Sequence, residues 1–218
     1  MQPFVFPRWA NKTVRIFGAV ALLAPVYLTA LVWYGASPKT TDVGYAPEQP
    51  VPYSHALHAG ELGLDCRYCH TTVENAAFAA VPPTETCMNC HQRVKTKSPK
   101  LEPVRASAAS GRTLEWTKVH DLPDYVYFDH SVHVRNGVGC VECHGRIDTM
   151  DVVFQHETLS MGWCLDCHRE PDVHLREPSQ VTNMLYQPPA GETKLVHGQK
   201  LRADNDINPP LDCSTCHR

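Results

Sequence analysis

Outside one N-terminal run, this 218-residue sequence is poor in Ile, Leu, Val and Phe for its size. That scarcity argues against a conventional apolar core of the kind that stabilises an ordinary domain. Strand-like alternation of any length is also missing, which argues against a β-sandwich or barrel. Residues 1–36 contain no acidic side chain, only Arg8, Lys12 and Arg15, whereas the remainder carries 17 bases against 23 acids. An exported surface of that sign excludes nucleic acid as a partner, because the required basic footprint is absent. No cysteine stands outside a Cys-x-x-Cys pair. A disulfide framework of scattered cysteines is thereby disfavoured, and something other than aliphatic side chains is expected to fill the interior.

From Ile16 to Pro38, 23 consecutive residues lack a charged side chain. At about 1.5 Å per residue, such a helix crosses a hydrocarbon layer of about 30 Å. Pro25 within the run is tolerable in a membrane helix. The three bases before it are expected to hold the N-terminus in the cytoplasm, with Trp33 and Tyr34 in the aromatic belt at the far side. A cleaved signal peptide would have a shorter apolar region and small residues before the cut, which Tyr34 spoils. The expected division is a cytoplasmic N-terminus over residues 1–15, a single-pass anchor in the cytoplasmic membrane over 16–36, a Pro-rich linker over 37–53 and an exported, periplasm-facing domain over 54–218. Residues 92–112 read as a basic loop, and 175–211 as irregular chain.

The ten cysteines all fall into Cys-x-x-Cys-His. The five copies are Cys66-Cys69-His70, Cys87-Cys90-His91, Cys140-Cys143-His144, Cys164-Cys167-His168 and Cys213-Cys216-His217. This is the attachment signature of c-type haem. Two thiols three apart on a helical turn reach two edges of one porphyrin, and the adjacent imidazole becomes the proximal iron ligand. Zinc ribbons share the inter-pair gaps of 17 and 20 residues but leave the fifth pair without a partner. With 13 histidines in 218 residues, a histidine after all five pairs by chance is on the order of 10⁻⁶, against its being obligatory in the haem signature. Five covalently attached haem c groups are expected, about one per 36 residues of the exported part, so the porphyrins themselves would be the interior.

The pattern is duplicated. Segment 54–70 resembles 129–144, each opening His-x-x-His and ending Cys-x-x-Cys-His, and each is followed by a second motif. Two dihaem modules, about 54–91 and 120–168, precede a fifth site at about 205–218. Eight histidines lie outside the motifs. His55, His58, His130 and His133, in the repeated His-x-x-His, are expected as distal iron ligands. The first of each pair should serve a haem near its own module and the second a different one, since neighbours one helical turn apart cannot bind opposite faces of one porphyrin. His120 is a fifth candidate. His156, His174 and His197 read as solvated surface residues. Met161 and Met150 compete as thioether ligands that would raise one haem's potential, against a plain packing role.

The expected fold is therefore mostly irregular with short α-helices, a multihaem cytochrome c packed around five haems, plus one N-terminal transmembrane helix. His-x-x-His before Cys-x-x-Cys-His is the habit of class III multihaem cytochromes. The segments VPYSHALHAGELGLDCRYCH, VPPTETCMNCH, WTKVHDLPDYVYFDHSVHV and LSMGWCLDCHRE further resemble the pentahaem cytochrome c subunit of alternative complex III. That resemblance implies an electron-transfer subunit, not catalytic alone, beside an iron–sulfur subunit and polytopic quinol-binding membrane subunits. It implies electrons passing toward a monohaem cytochrome c or an oxidase. A freestanding, membrane-anchored multihaem quinol dehydrogenase feeding a periplasmic reductase is the rival reading.

Overall fold

The computed structural model describes residues 5–35 and 42–217, and the chain divides into two compact units at Thr41. The first five residues of the expected linker, 37–41, and the last residue of the expected anchor, 36, lie outside the described residues.

The N-terminal unit is one helix, α1 (Arg8–Gly35), with no buried residue and Pro25 inside it. It is long and apolar enough to cross a membrane. It starts eight residues before the charge-free run, so Arg8, Lys12 and Arg15 form its first two turns. Straight-chain Arg and Lys lose little rotamer freedom in a helix, and nothing between Arg8 and Ile16 breaks one.

The second unit has no strand among its described residues. A single bridge, Val138 to Leu175, is its only β pairing there. The cysteine motifs sit on short helices: α2 (Cys66–Cys69), α3 (Thr84–His91), α6 (Cys140–His144), α7 (Met161–Arg169) and α9 (Cys213–Cys216). The starts of α2, α7 and α9 are held by side-chain caps. The Asp65 carboxylate accepts from the Arg67 amide at 2.8 Å, Ser160 from Trp163 at 3.3 Å and Asp212 from Thr215 at 3.0 Å. Each satisfies an amide that the first turn leaves unpaired. At the far end of α2 and α9 the histidine amide closes the turn, His70 onto the Cys66 carbonyl at 2.9 Å and His217 onto Cys213 at 2.8 Å.

The apolar core is thin. Among the described residues only Val51, Val104, Val134, Met150, Leu175, Val181, Tyr186 and Ile207 are buried hydrophobics. Tyr68, Phe78, Val81, Val132 and Leu211, all near the motifs, stay exposed to a degree that aliphatic packing would not leave.

Two helices occupy segments read from sequence as irregular. In the basic stretch 92–112, α4 (Glu102–Ser110) buries Val104 and Ser107 and packs on α3. Its end is set by Gly111, whose φ of 69° provides the left-handed stop. Farther on, α8 (Lys194–Asp204) is capped by Thr193 and packs on the 3₁₀ turn Pro171–His174. The contact needs Gly198: a Cβ there would lie 1.6 Å from the Asp172 carbonyl oxygen.

Candidate haem-attachment and ligand sites

Each His-x-x-His is built the same way. His55 opens a wide π-helical turn, Ala56–Glu61, and His58 lies on it. His130 and His133 lie on α5 (His130–Arg135), capped by Asp129. The second histidine of each pair donates from Nδ1 to the carbonyl four residues back, His58 to Ser54 at 2.8 Å and His133 to Asp129 at 2.7 Å. An aromatic ring two residues before the first histidine braces both. Tyr53 stacks on His58 (4.4 Å between centroids, 21°) and meets His55 edge-on (4.8 Å, 84°). Phe128 repeats this with His133 (4.5 Å, 30°) and His130 (4.8 Å, 85°). These two aromatics were not singled out from sequence, although aromatic-x-His-x-x-His occurs in both copies.

The histidines sort by what their ring nitrogens touch. In seven, Nδ1 faces a backbone carbonyl: His58, His70, His91, His130, His133, His168 and His217. A carbonyl only accepts, so Nδ1 carries the proton and Nε2 keeps its lone pair. That is the tautomer a metal-bound imidazole needs. Nitrogens of His55, His120 and His144 are buried without a partner. Burial holds the His55 imidazolium down to about 4 and that of His144 to about 3, with neighbouring imidazoles adding to both, and it lowers His120 and His133 likewise. These rings are neutral at pH 7.

The other three bind carboxylates. His156 meets Glu157 at 3.0 Å and His174 meets Glu142 at 2.7 Å. His197 has both nitrogens taken, by Glu192 at 2.8 Å and Glu177 at 2.9 Å. His197 is 8% exposed, not the surface residue its polar surroundings suggested, because the two carboxylates that surround it come from outside α8. It has no lone pair to give a metal.

Ring pairs face one another across a characteristic gap. His58 and His91 have centroids 6.2 Å apart, His133 and His168 6.1 Å, His130 and His144 6.4 Å. Two imidazoles on one metal stand about 6 Å apart, given about 2 Å for each metal–nitrogen bond and about 1 Å from nitrogen to ring centre. His55 lies beside His70. His120 meets His144 edge-on at only 4.4 Å, too close for an atom to sit between. At the fifth motif the ring 5.9 Å from His217 is Tyr125.

Met161 begins α7 and is exposed, while Met150 is buried and its carbonyl accepts from the Ala56 amide at 3.0 Å. All ten cysteines are free thiols. Burial pushes Cys143 up to about 12 and Cys167 to about 11, with nearby acidic groups adding to both. Paired thiols, free Nε2 atoms, facing imidazoles and bare apolar side chains around them together fit covalently held porphyrin iron.

The third motif is clamped by Arg176, itself 3% exposed. Its guanidinium pairs with Glu142, donates to the Asn183 carbonyl at 3.1 Å and lies 4.9 Å over the Tyr186 ring. Its amide donates to the Gly137 carbonyl at 2.9 Å, and Gly137 has a φ of 80°. A Cβ there would fall 2.0 Å from the Arg176 carbonyl oxygen, so only glycine serves.

No family profile matches the chain. Over 176 residues, 78% of this chain and 77% of the relative, it is 27% identical to the multihaem cytochrome c subunit of menaquinone reductase from Nitratidesulfovibrio vulgaris (strain Hildenborough). That similarity supports c-type haem on this chain and a multihaem cytochrome c character.

Proposed function

We propose that the chain is the membrane-anchored pentahaem electron-transfer subunit of a quinol:acceptor oxidoreductase of the alternative complex III type. The observation that carries this reading is the set of five Cys-x-x-Cys-His motifs, three of them faced by a second imidazole about 6 Å away. Haem iron held between two such imidazoles would supply one-electron transfer and would leave no open position for a substrate.

The chain's own residues then have five tasks. Cys66, Cys69, Cys87, Cys90, Cys140, Cys143, Cys164, Cys167, Cys213 and Cys216 form the thioethers. His70, His91, His144, His168 and His217 take the proximal positions. His55, His58, His130 and His133 take distal ones, with His120, Met150 and Met161 as the remaining candidates. The backbone carbonyls behind seven of these imidazoles, those of His58, His70, His91, His130, His133, His168 and His217, fix their tautomer and raise their basicity. Helix α1 anchors the haem domain on the periplasmic side of the membrane. An iron–sulfur subunit and polytopic quinol-binding subunits supply the electrons, and a monohaem cytochrome c or an oxidase receives them.

A second reading reverses the flow. The relative is named for reducing menaquinone, which favours a complex that delivers electrons into the quinone pool. A freestanding quinol dehydrogenase is the third. Purification in mild detergent with subunit identification separates them. The alternative complex III reading expects an iron–sulfur subunit and polytopic subunits to co-purify, quinol to reduce the haems only in that assembly, and the isolated chain to be inert toward quinol. Turnover of the lone chain with a quinol analogue would support the freestanding enzyme. Rapid oxidation of pre-reduced haems by added quinone, with no reduction by quinol, would support the reversed flow.

A further inference from the structure

We infer that the five attachment sites form one unbranched row in the order second, first, third, fourth, fifth, so that the second and fifth motifs are its two ends. The inference deepens the electron-transfer reading and rests on it for what the row carries. The order itself comes from contacts between the motifs.

The second and first motifs meet through the Ala56–Glu61 turn, where His58 faces His91 at 6.2 Å and His55 lies beside His70. Asn89, inside the second motif, donates to the Tyr68 hydroxyl inside the first at 3.1 Å, and Cys87 neighbours Cys69. The first and third motifs touch directly: the Cys66 and Cys140 thiols lie against each other. One further segment ties both, for the Cys140 amide donates to the Val181 carbonyl at 2.9 Å and Thr182 donates to Asp65 at 3.0 Å.

The third and fourth motifs meet through α5, which sets His130 against His144 at 6.4 Å and His133 against His168 at 6.1 Å. Cys143 neighbours Cys167 and Cys164. The fourth and fifth motifs meet where His168 donates to the Pro210 carbonyl at 2.8 Å, and Cys164 neighbours Cys216.

Exposure agrees with the order. A cysteine is exposed only in the second motif (Cys90) and the fifth (Cys213). The third motif, in the middle, is flanked by buried Gly139 and Gly145. The duplication explains why the row departs from sequence order. Each module joins its own two sites through its His-x-x-His element, and the modules meet head to head at their equivalent first sites. This gives the symmetric series second–first, third–fourth. The C-terminal motif then extends one end only, which makes the row directional. Electrons exchanged with other proteins enter and leave at the second and fifth sites.

Cryo-electron microscopy of the detergent-purified holoprotein in its complex tests this through iron–iron distances, independently of activity. The four shortest pairs should be second–first, first–third, third–fourth and fourth–fifth, with second–third longer than first–third. Five haems with second–third shorter than first–third, or with the fifth iron beside the second, overturn the row and leave the functional reading standing. Fewer than five haems overturn both.

Discussion

Removing Arg176 should strongly destabilise the haem domain. Its guanidinium is almost fully buried against Tyr186 and the Gly137–Gly139 backbone, and it neutralises Glu142, whose side chain is 17% exposed. In Arg176→Met, Glu142 keeps only the His174 ring as a side-chain partner, at 2.7 Å. Breaking a buried pair from one side costs about 3–5 kcal/mol, because the remaining charge stays desolvated. For a domain of this size about 2–4 °C accompanies each kcal/mol, so the melting midpoint should fall by about 6–20 °C. Glu142→Gln should show a comparable fall, with Arg176 now the stranded charge. The double variant Arg176→Met/Glu142→Gln should recover most of the loss, since it leaves no unpaired charge buried. The assay is thermal unfolding of the full-length holoprotein in detergent, followed by circular dichroism and by the haem absorption band. Single variants that melt within about 2 °C of the wild type, or a double variant that melts at the sum of the two losses, would show that Arg176 and Glu142 are not a coupled buried pair.

Gly198→Ala should lower the melting midpoint although alanine is the better helix former by about 1 kcal/mol, because its Cβ meets the Asp172 carbonyl; a raised midpoint contradicts the α8 packing. Phe128→Ala removes the ring that braces both His130 and His133, so low-temperature EPR should show two low-spin signals altered together, where a change in one signal or none counts against a shared brace. The Asp65 carboxyl is held down to about 2, chiefly by its hydrogen bonds from Arg67. With the folded value below the ordinary one, its contribution is present above about pH 4 and is lost as pH falls toward 2. Both side chains are over a third exposed, so the effect stays under about 1 kcal/mol. Asp65→Asn should flatten the stability profile between pH 4 and pH 2 relative to wild type, and parallel profiles would show that the pair contributes nothing.

The candidate site positions were legible because they are local. Cys-x-x-Cys-His and His-x-x-His are short spacings that need only one helical turn, and the caps Asp65, Asp129 and Asp212 sit next to them in sequence. What escaped was set by distant partners. Helix α4 itself has little apolar content beyond Val104 and three alanines, and packing on α3 helps to secure it. His197 looks like a surface residue until Glu177 and Glu192 are brought to its two nitrogens. The sorting of histidines by carbonyl or carboxylate partner is equally invisible in one dimension: the Ala77 carbonyl that orients His130 lies 53 residues away, and the Tyr125 carbonyl that orients His217 lies 92 away. The pairing of the first motif with the third depends on Cys66 meeting Cys140, a contact no periodicity encodes.

All five motifs are expected to carry covalent haem. Intact-mass spectrometry of the denatured, purified chain tests it most directly, since thioether-linked haem survives denaturation and a coordinated metal does not. The mass should exceed that of the 24.4 kDa polypeptide by five haems. A smaller increment, or the bare polypeptide mass with zinc found in the native protein, would contradict it.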